Sequence, residues 1–197
     1  MLIWRGRARN REFRLALALI GCLAAWSPPM SAGAQQWEVY FSPRGGATEA
    51  IVRAVDSARI SLHVQAYTIS SSPIVKAISV AHRRGVLVQV ILDQGQLTDK
   101  FSALPSLLAA GVPVWIDAAH QIAHNKIMII DGETVITGSF NFTRSAEYYN
   151  AENLLVIRDK ALADRYEANF QEQLRYSQPY GGKKDWWPSF LRNRVPY

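Results

Sequence analysis

The chain has 197 residues, 49% of them hydrophobic and 19% charged, with a formal charge of +6 and a single cysteine. That length suits one domain with a full core and a tail, and is short for two domains. The basic balance sits at the ends: residues 1–34 carry five Arg against one Glu, so without them the charge is +2, and residues 35–175 come to about −1. A polyanionic partner therefore needs a local patch rather than bulk attraction.

In chain order, Arg5, Arg7, Arg9, Arg11 and Arg14 precede the apolar run LALALIGCLAAW and the small-residue segment SAGAQQ. That order is a secretory signal peptide over residues 1–34, cut after Ala34, and it places the mature chain in a bacterial periplasm or outside the cell. The run is short for a membrane span. Leu19-Ile20-Gly21-Cys22 also resembles a lipobox, the alternative in which the cut precedes Cys22 and a lipid is attached there. After ordinary cleavage no cysteine remains, which excludes structural disulfides and thiolate chemistry.

Residues 35–175 form the expected domain. WEVYF (37–41) alternates as a strand, SPRGGA turns, and TEAIVRAVDSA has helical spacing. ISLHVQAYTI (60–69) alternates again, and a helix follows from Ser71-Ser72-Pro73 to about Arg84, with Gly85 beyond its end. VLVQVILD (86–93), a short helix in FSALPSLLAA, and the strand VPVWID (112–117) come next. KIMII (126–130) and TVITG (134–138) are separated by a short turn, ENLLVI (152–157) adds a strand, and residues 160–175 form a closing helix. Strands alternating with helices predict an α/β fold: a mixed, mainly parallel sheet flanked by helices on both faces. Residues 176–197, with Gly, Pro, bases and the pair Trp186 and Trp187, read as an irregular tail.

The chemistry concentrates in HNKIMIIDGETVITGSFN, residues 124–141. Asp131-Gly132 between two β-rich runs predicts a two-residue hairpin turn with positive φ at both positions. In that register Ile130 faces Glu133, Lys126 faces Thr137 and His124 faces Ser139. His124, Lys126, Ser139 and Asn141 then share one side, whereas a three-residue connection would break the convergence. An imidazole beside an ammonium, a hydroxyl and an amide suits a phosphate group. Lys126 neutralises charge, Ser139 and Asn141 donate hydrogen bonds, and His124 can attack phosphorus. Gly138 lets a ligand approach the backbone.

The spacing H-x-K-x(4)-D-x(6)-G-S-x-N, met at His124, Lys126, Asp131, Gly138, Ser139 and Asn141, resembles the HKD signature of the phospholipase D superfamily. The flanking GSFNFTRSAE and NAEN look like its small bacterial nucleases, and a weaker likeness runs from about Val39 to Arg175. The resemblance implies a metal-independent, two-step phosphodiester hydrolysis without a cofactor, through a phosphohistidine, with a second His protonating the leaving oxygen. Many relatives hold two HKD motifs, and this chain holds one. The resemblance therefore implies a homodimer sharing one site and a nucleic-acid substrate, DNA and also RNA, cut without sequence preference. The alternatives are a phospholipase D acting on lipid head groups and a non-catalytic nucleic-acid or membrane binding protein, against which intact His124, Lys126 and Asn141 argue. It further implies that Glu152 hydrogen-bonds the catalytic His, and that Asp131 is structural.

The other histidines carry ordinary readings. His120 and His124 are four apart, but a strand follows and no Glu follows His120, unlike a zinc protease helix. His63 alternates with Gln65 and Tyr67 and is expected to be packed or hydrogen-bonded, and His82 sits at a helix end. Ser42-Pro43-Arg44-Gly45-Gly46 is read as a connection rather than a phosphate loop. Membrane contact through the lipobox or the aromatic tail remains a secondary expectation.

Overall fold

The computed structural model describes residues 36–181; the stretch 1–35 with Cys22, where the signal peptide is expected, and the stretch 182–197 with Trp186 and Trp187 lie outside the described residues. The elements are β1 (Trp37–Phe41), α1 (Ala47–Ser57), β2 (Ser61–Ala66), α2 (Ser72–Arg83), β3 (Leu87–Asp93), α3 (Leu104–Ala109), β4 (Val114–Asp117), β5 (Lys126–Ile130), β6 (Thr134–Gly138), α4 (Arg144–Tyr148), β7 (Asn153–Arg158), α5 (Lys160–Tyr176) and β8 (Ser177–Tyr180). All eight strands join one sheet in the order β1-β7-β6-β5-β2-β3-β4-β8. Among the described residues no helix is long and apolar enough to cross a membrane.

The mixed sheet flanked by helices is as expected, but its balance is not mainly parallel. Among the described residues only β2 with β3 and β3 with β4 run parallel, and the other five strand pairings are antiparallel. The two parallel pairings are those bridged by single helices, α2 and α3. β5 and β6 are joined by a tight turn too short to carry a strand back to a parallel start. A second correction concerns the tail. Residues 177–180 form β8, antiparallel to β4, so the fold extends past Arg175. Pro179 is tolerated there because β8 is an edge strand.

One face of the sheet is covered by α1, α2 and α3. The helical spacing of Ile51 and Val55, of Ile74 and Ile78, and of Leu104 and Leu107 meets Leu62, Val64, Leu92, Met128 and Ile136 in a single apolar core. Pro73 opens α2, and Gly85 (φ 90) follows its C-terminus. The other face is covered by α5, which contributes Ala163, Phe170 and Leu174 to a smaller cluster with Ile91, Trp115, Ile127, Ile129 and Val135. β2 and β3 lie mid-sheet and are buried along nearly their whole length, which is why they read as near-continuous apolar runs.

Candidate active site

Four neighbouring strands meet at one end of this sheet: β2 stops at Ala66, β5 starts at Lys126, β6 stops at Gly138 and β7 starts at Asn153. His124 precedes β5, Ser139 and Asn141 follow β6, and Glu152 precedes β7. Together with Lys126 and Gly138 they line one cavity of about 420 Å³.

The register that was to bring them together is different. Glu133 N–H does donate to the Ile130 carbonyl (3.0 Å) across Asp131 (φ 54) and Gly132 (φ 65), the positive φ pair expected of the turn. The ladder, however, pairs Ile130 with Thr134, so Glu133 is an extra residue and the connection is three residues long. That puts His124 and Lys126 out of phase with Ser139 and Asn141. Convergence survives because the site lies beyond the ladder, where side chains are no longer confined to one face. Ser139 and Phe140 N–H both donate to the Asn153 carbonyl (3.1 and 3.2 Å), two residues facing one in a bulge that ends the alternation. Gly138 (φ 146) sits so close to β7 that a Cβ there would lie 2.3 Å from the Asn153 oxygen. Gly138 thus serves this close strand approach as well as the cavity it lines.

The individual environments fit the capture of an anion. Lys126 is only 7% exposed; its Nζ donates to the His124 carbonyl (2.7 Å) and lies 5.2 Å from the Tyr67 ring centre. Burial lowers its pKa from the ordinary lysine value, opposed by the Glu152 carboxylate. An incoming phosphate would act in the same sense as Glu152, favouring the charged ammonium. Ser139 Oγ accepts from Asn153 N–H (3.1 Å) and Nδ2 (3.3 Å), which leaves its hydroxyl proton to donate elsewhere. Asn141 Oδ1 is buried with no hydrogen-bond partner among the described residues; as an acceptor it calls for a donor from a ligand or second chain, and it is the Nδ2 group that can donate to an anion. His124 is exposed, its ring tilted 57° against Tyr67 at 4.6 Å between centroids.

Glu152 reaches the cavity but does not make the expected bond within the chain. Its Oε1 accepts from Asn150 Nδ2 (3.1 Å), and among the described residues no hydrogen bond joins it to His124. Its backbone is held by Ser42: the Ser42 N–H donates to the Glu152 carbonyl (3.0 Å) and Ser42 Oγ accepts from Glu152 N–H (3.1 Å). Asp131 is remote from the chemistry. Its carboxylate accepts from the backbone N–H groups of Arg59, Ile60 and Ser61, clasping the hairpin turn to the start of β2. Burial pushes its pKa up, but these three donors and the Arg59 charge outweigh that and hold it below the usual value.

Sequence reasoning missed Tyr67, although it noted the alternation His63, Gln65, Tyr67. What places Tyr67 against His124 is the antiparallel pairing of β2 with β5, which ends with Tyr67 N–H on the Asn125 carbonyl (3.0 Å). It also missed Glu147, 3% exposed, whose carboxylate accepts from Gly46 N–H (3.2 Å) and Thr48 N–H (2.8 Å) at the start of α1. That internal anion occupies the Gly-rich turn, in keeping with a connecting role. His63 is packed as expected, stacked on Phe170 at 4.7 Å with Nδ1 2.7 Å from Glu167. His120 turns Nδ1 to Asp117 (2.8 Å).

A model of the family described as "Cardiolipin synthase, PLD-like domain" matches residues 51–174. The chain is 48% identical over 130 residues to a protein of Rickettsia bellii named "Phospholipase D", covering 66% of this chain and 65% of that one. It is 34% identical over 114 residues to "Mitochondrial cardiolipin hydrolase" of Xenopus tropicalis, 58% of this chain and 54% of that one. The match thus spans somewhat less than two thirds of these curated relatives' length. Among solved structures, Nuc of Salmonella typhimurium, described as a phospholipase D family member, superposes with a TM-score of 0.71. It shares 34% identity, and the match covers 74% of this chain and 98% of Nuc.

Proposed function

The chain belongs to the phospholipase D superfamily, and from that premise we propose that it is a metal-independent endonuclease hydrolysing nucleic-acid phosphodiesters with little sequence preference. The observation that carries this reading is the cavity in which His124, Lys126, Ser139, Asn141 and Glu152 meet. A ring nitrogen of His124 displaces the leaving oxygen at phosphorus, giving a phosphohistidine. Lys126 and the Ser139 hydroxyl hold the nonbridging oxygens. Water then cleaves the P–N bond and regenerates the imidazole. Each chain brings one His124, so the acid that protonates the leaving oxygen is His124 of a second copy in a two-fold dimer. What supports nucleic acid as substrate is the likeness of residues 138–153 to small bacterial nucleases of the superfamily. The leader supports export to the periplasm or beyond.

A second reading, hydrolysis of a phospholipid head group, is favoured by one observation. Trp37, Val39 and Phe41 form an exposed apolar row on β1, Trp37 at 50% and Phe41 at 64%, of the kind that meets a lipid surface. The relatives' names lean the same way. The deciding experiment is purified protein with plasmid DNA, RNA, and phosphatidylcholine or cardiolipin vesicles, each with excess EDTA. Cleavage of nucleic acid in EDTA is expected, and His124→Ala should lower it by more than about 10³-fold while leaving the dimer intact on sizing. Lipid turnover without nucleic-acid cleavage would sink the leading reading, and abolition by EDTA its metal-free chemistry.

A further inference from the structure

A groove of about 450 Å³ opens from His124 and Lys126 toward α5, where Leu162, Arg165, Tyr166 and Asn169 line it. Their spacing of three, four and seven residues is a single helical stripe. The buried side of α5 is carried by Ala163, Phe170 and Leu174. Leu162 and Tyr166 also pack against the cluster under α5, so the stripe runs along the margin of the buried side, with Arg165 and Asn169 exposed beside the groove. Of the other bases on α5, Lys160 pairs with Asp164 at 2.8 Å and Arg175 with Glu172 at 3.1 Å. Arg165 is exposed and makes no ion pair or hydrogen bond among the described residues. Beside it Tyr166 is half-buried, packed against the cluster under α5, so its ring is a fixed platform.

A guanidinium without an ion pair among the described residues, in a groove that His124 and Lys126 also line, is the local patch that a domain of about −1 needs to hold a polyanion. A guanidinium fork matches phosphate, and an aromatic face accepts any base. We propose that Arg165 and Tyr166 form the substrate-positioning site for the nucleotide adjoining the scissile phosphate, Arg165 holding the neighbouring backbone phosphate and Tyr166 stacking its base. This rests on the nucleic-acid reading above. Arg165 touches no reacting atom; it acts by fixing the strand so that the phosphorus lies in line with His124.

The test compares two substrates of the full chain: a ten-nucleotide single strand, and bis(p-nitrophenyl) phosphate, a diester with no neighbouring phosphate. In Arg165→Ala the ratio of kcat/KM for the oligonucleotide over the small diester should fall about tenfold, mainly through KM. The slope of log(kcat/KM) against log salt should flatten by about one. Arg165→Lys should restore the slope but only part of the ratio. Equal losses on both substrates, or an unchanged ratio and slope, would overturn the assignment. Failure of the unaltered protein to cut any oligonucleotide while it hydrolyses the small diester would overturn the nucleic-acid reading itself, a result distinct from either.

Discussion

The two faces of the sheet are built on different terms. Under α1, α2 and α3 the largest buried side chains, among them Ile51, Leu62, Ile74, Ile78, Leu107, Phe140 and Phe142, close into one apolar core. Under α5 the apolar contacts are fewer and are interleaved with buried His63, Gln65 and Gln89. Here the Nε2 atoms of His63 and Gln65 are buried without hydrogen-bond partners among the described residues. Buried polar groups left unmatched lower the stability that area alone would suggest. The first face supplies the rigidity against which the strand ends are held, and the second supplies the groove leading to them.

The contrast is most directly broken by truncating one large aromatic on each side. Phe142→Ala, at a site with no exposure, should cost about 3–5 kcal/mol of unfolding free energy in urea titrations. Phe170→Ala on the α5 side should cost visibly less, because its cavity borders groups already imperfectly paired; equal losses would mean that the faces are equivalent. Gly138→Ala tests the junction between them. A Cβ against the Asn153 oxygen forces β6 from β7, with a stability loss of about 1–3 kcal/mol and a larger relative loss of turnover as Ser139 and Asn141 shift. Wild-type kcat in that variant would show that the bulge does not set the site.

The smallest effect, on the order of 1 kcal/mol, belongs to Glu167. Burial raises its pKa, but the hydrogen bond and charge of His63 and the amide of Gln171 outweigh this, so the net shift is downward. A carboxylate with a depressed folded pKa contributes stability that is complete above its unfolded value and is lost as pH falls through the folded one. Unfolding midpoints should therefore decline on the acid side of pH 4–5, and Glu167→Gln should flatten that limb. An unchanged acid limb would mean that the pair does not tie α5 to the sheet.

How much of this was legible in the sequence follows from how local each feature is. His124, Lys126, Ser139 and Asn141 were readable because the site is assembled from the two ends of one hairpin. Its turn residues, Asp131 and Gly132, announce themselves through the positive φ they adopt. The register was not readable, since nothing near Glu133 says that it joins the turn rather than the ladder. Nor did alternation reveal that β5 inserts antiparallel beside β2, and with it Tyr67; that is a choice of partner made across the sheet. β8 was hidden by its Pro179, which an edge strand accepts and an interior one refuses, and by the glycines that follow it in the sequence.

Asp131 gives the motif a mechanical reading. The strand from Lys126 to Ile130 is a beam about 17 Å long, clamped at its turn end by three amide donors and carrying the proposed catalytic groups at the other. The number of residues between Lys126 and Asp131 is then the length of a cantilever. Loosening the clamp would not alter any group that touches substrate; it would let the loaded tip swing, and the cost would fall on alignment rather than on chemistry.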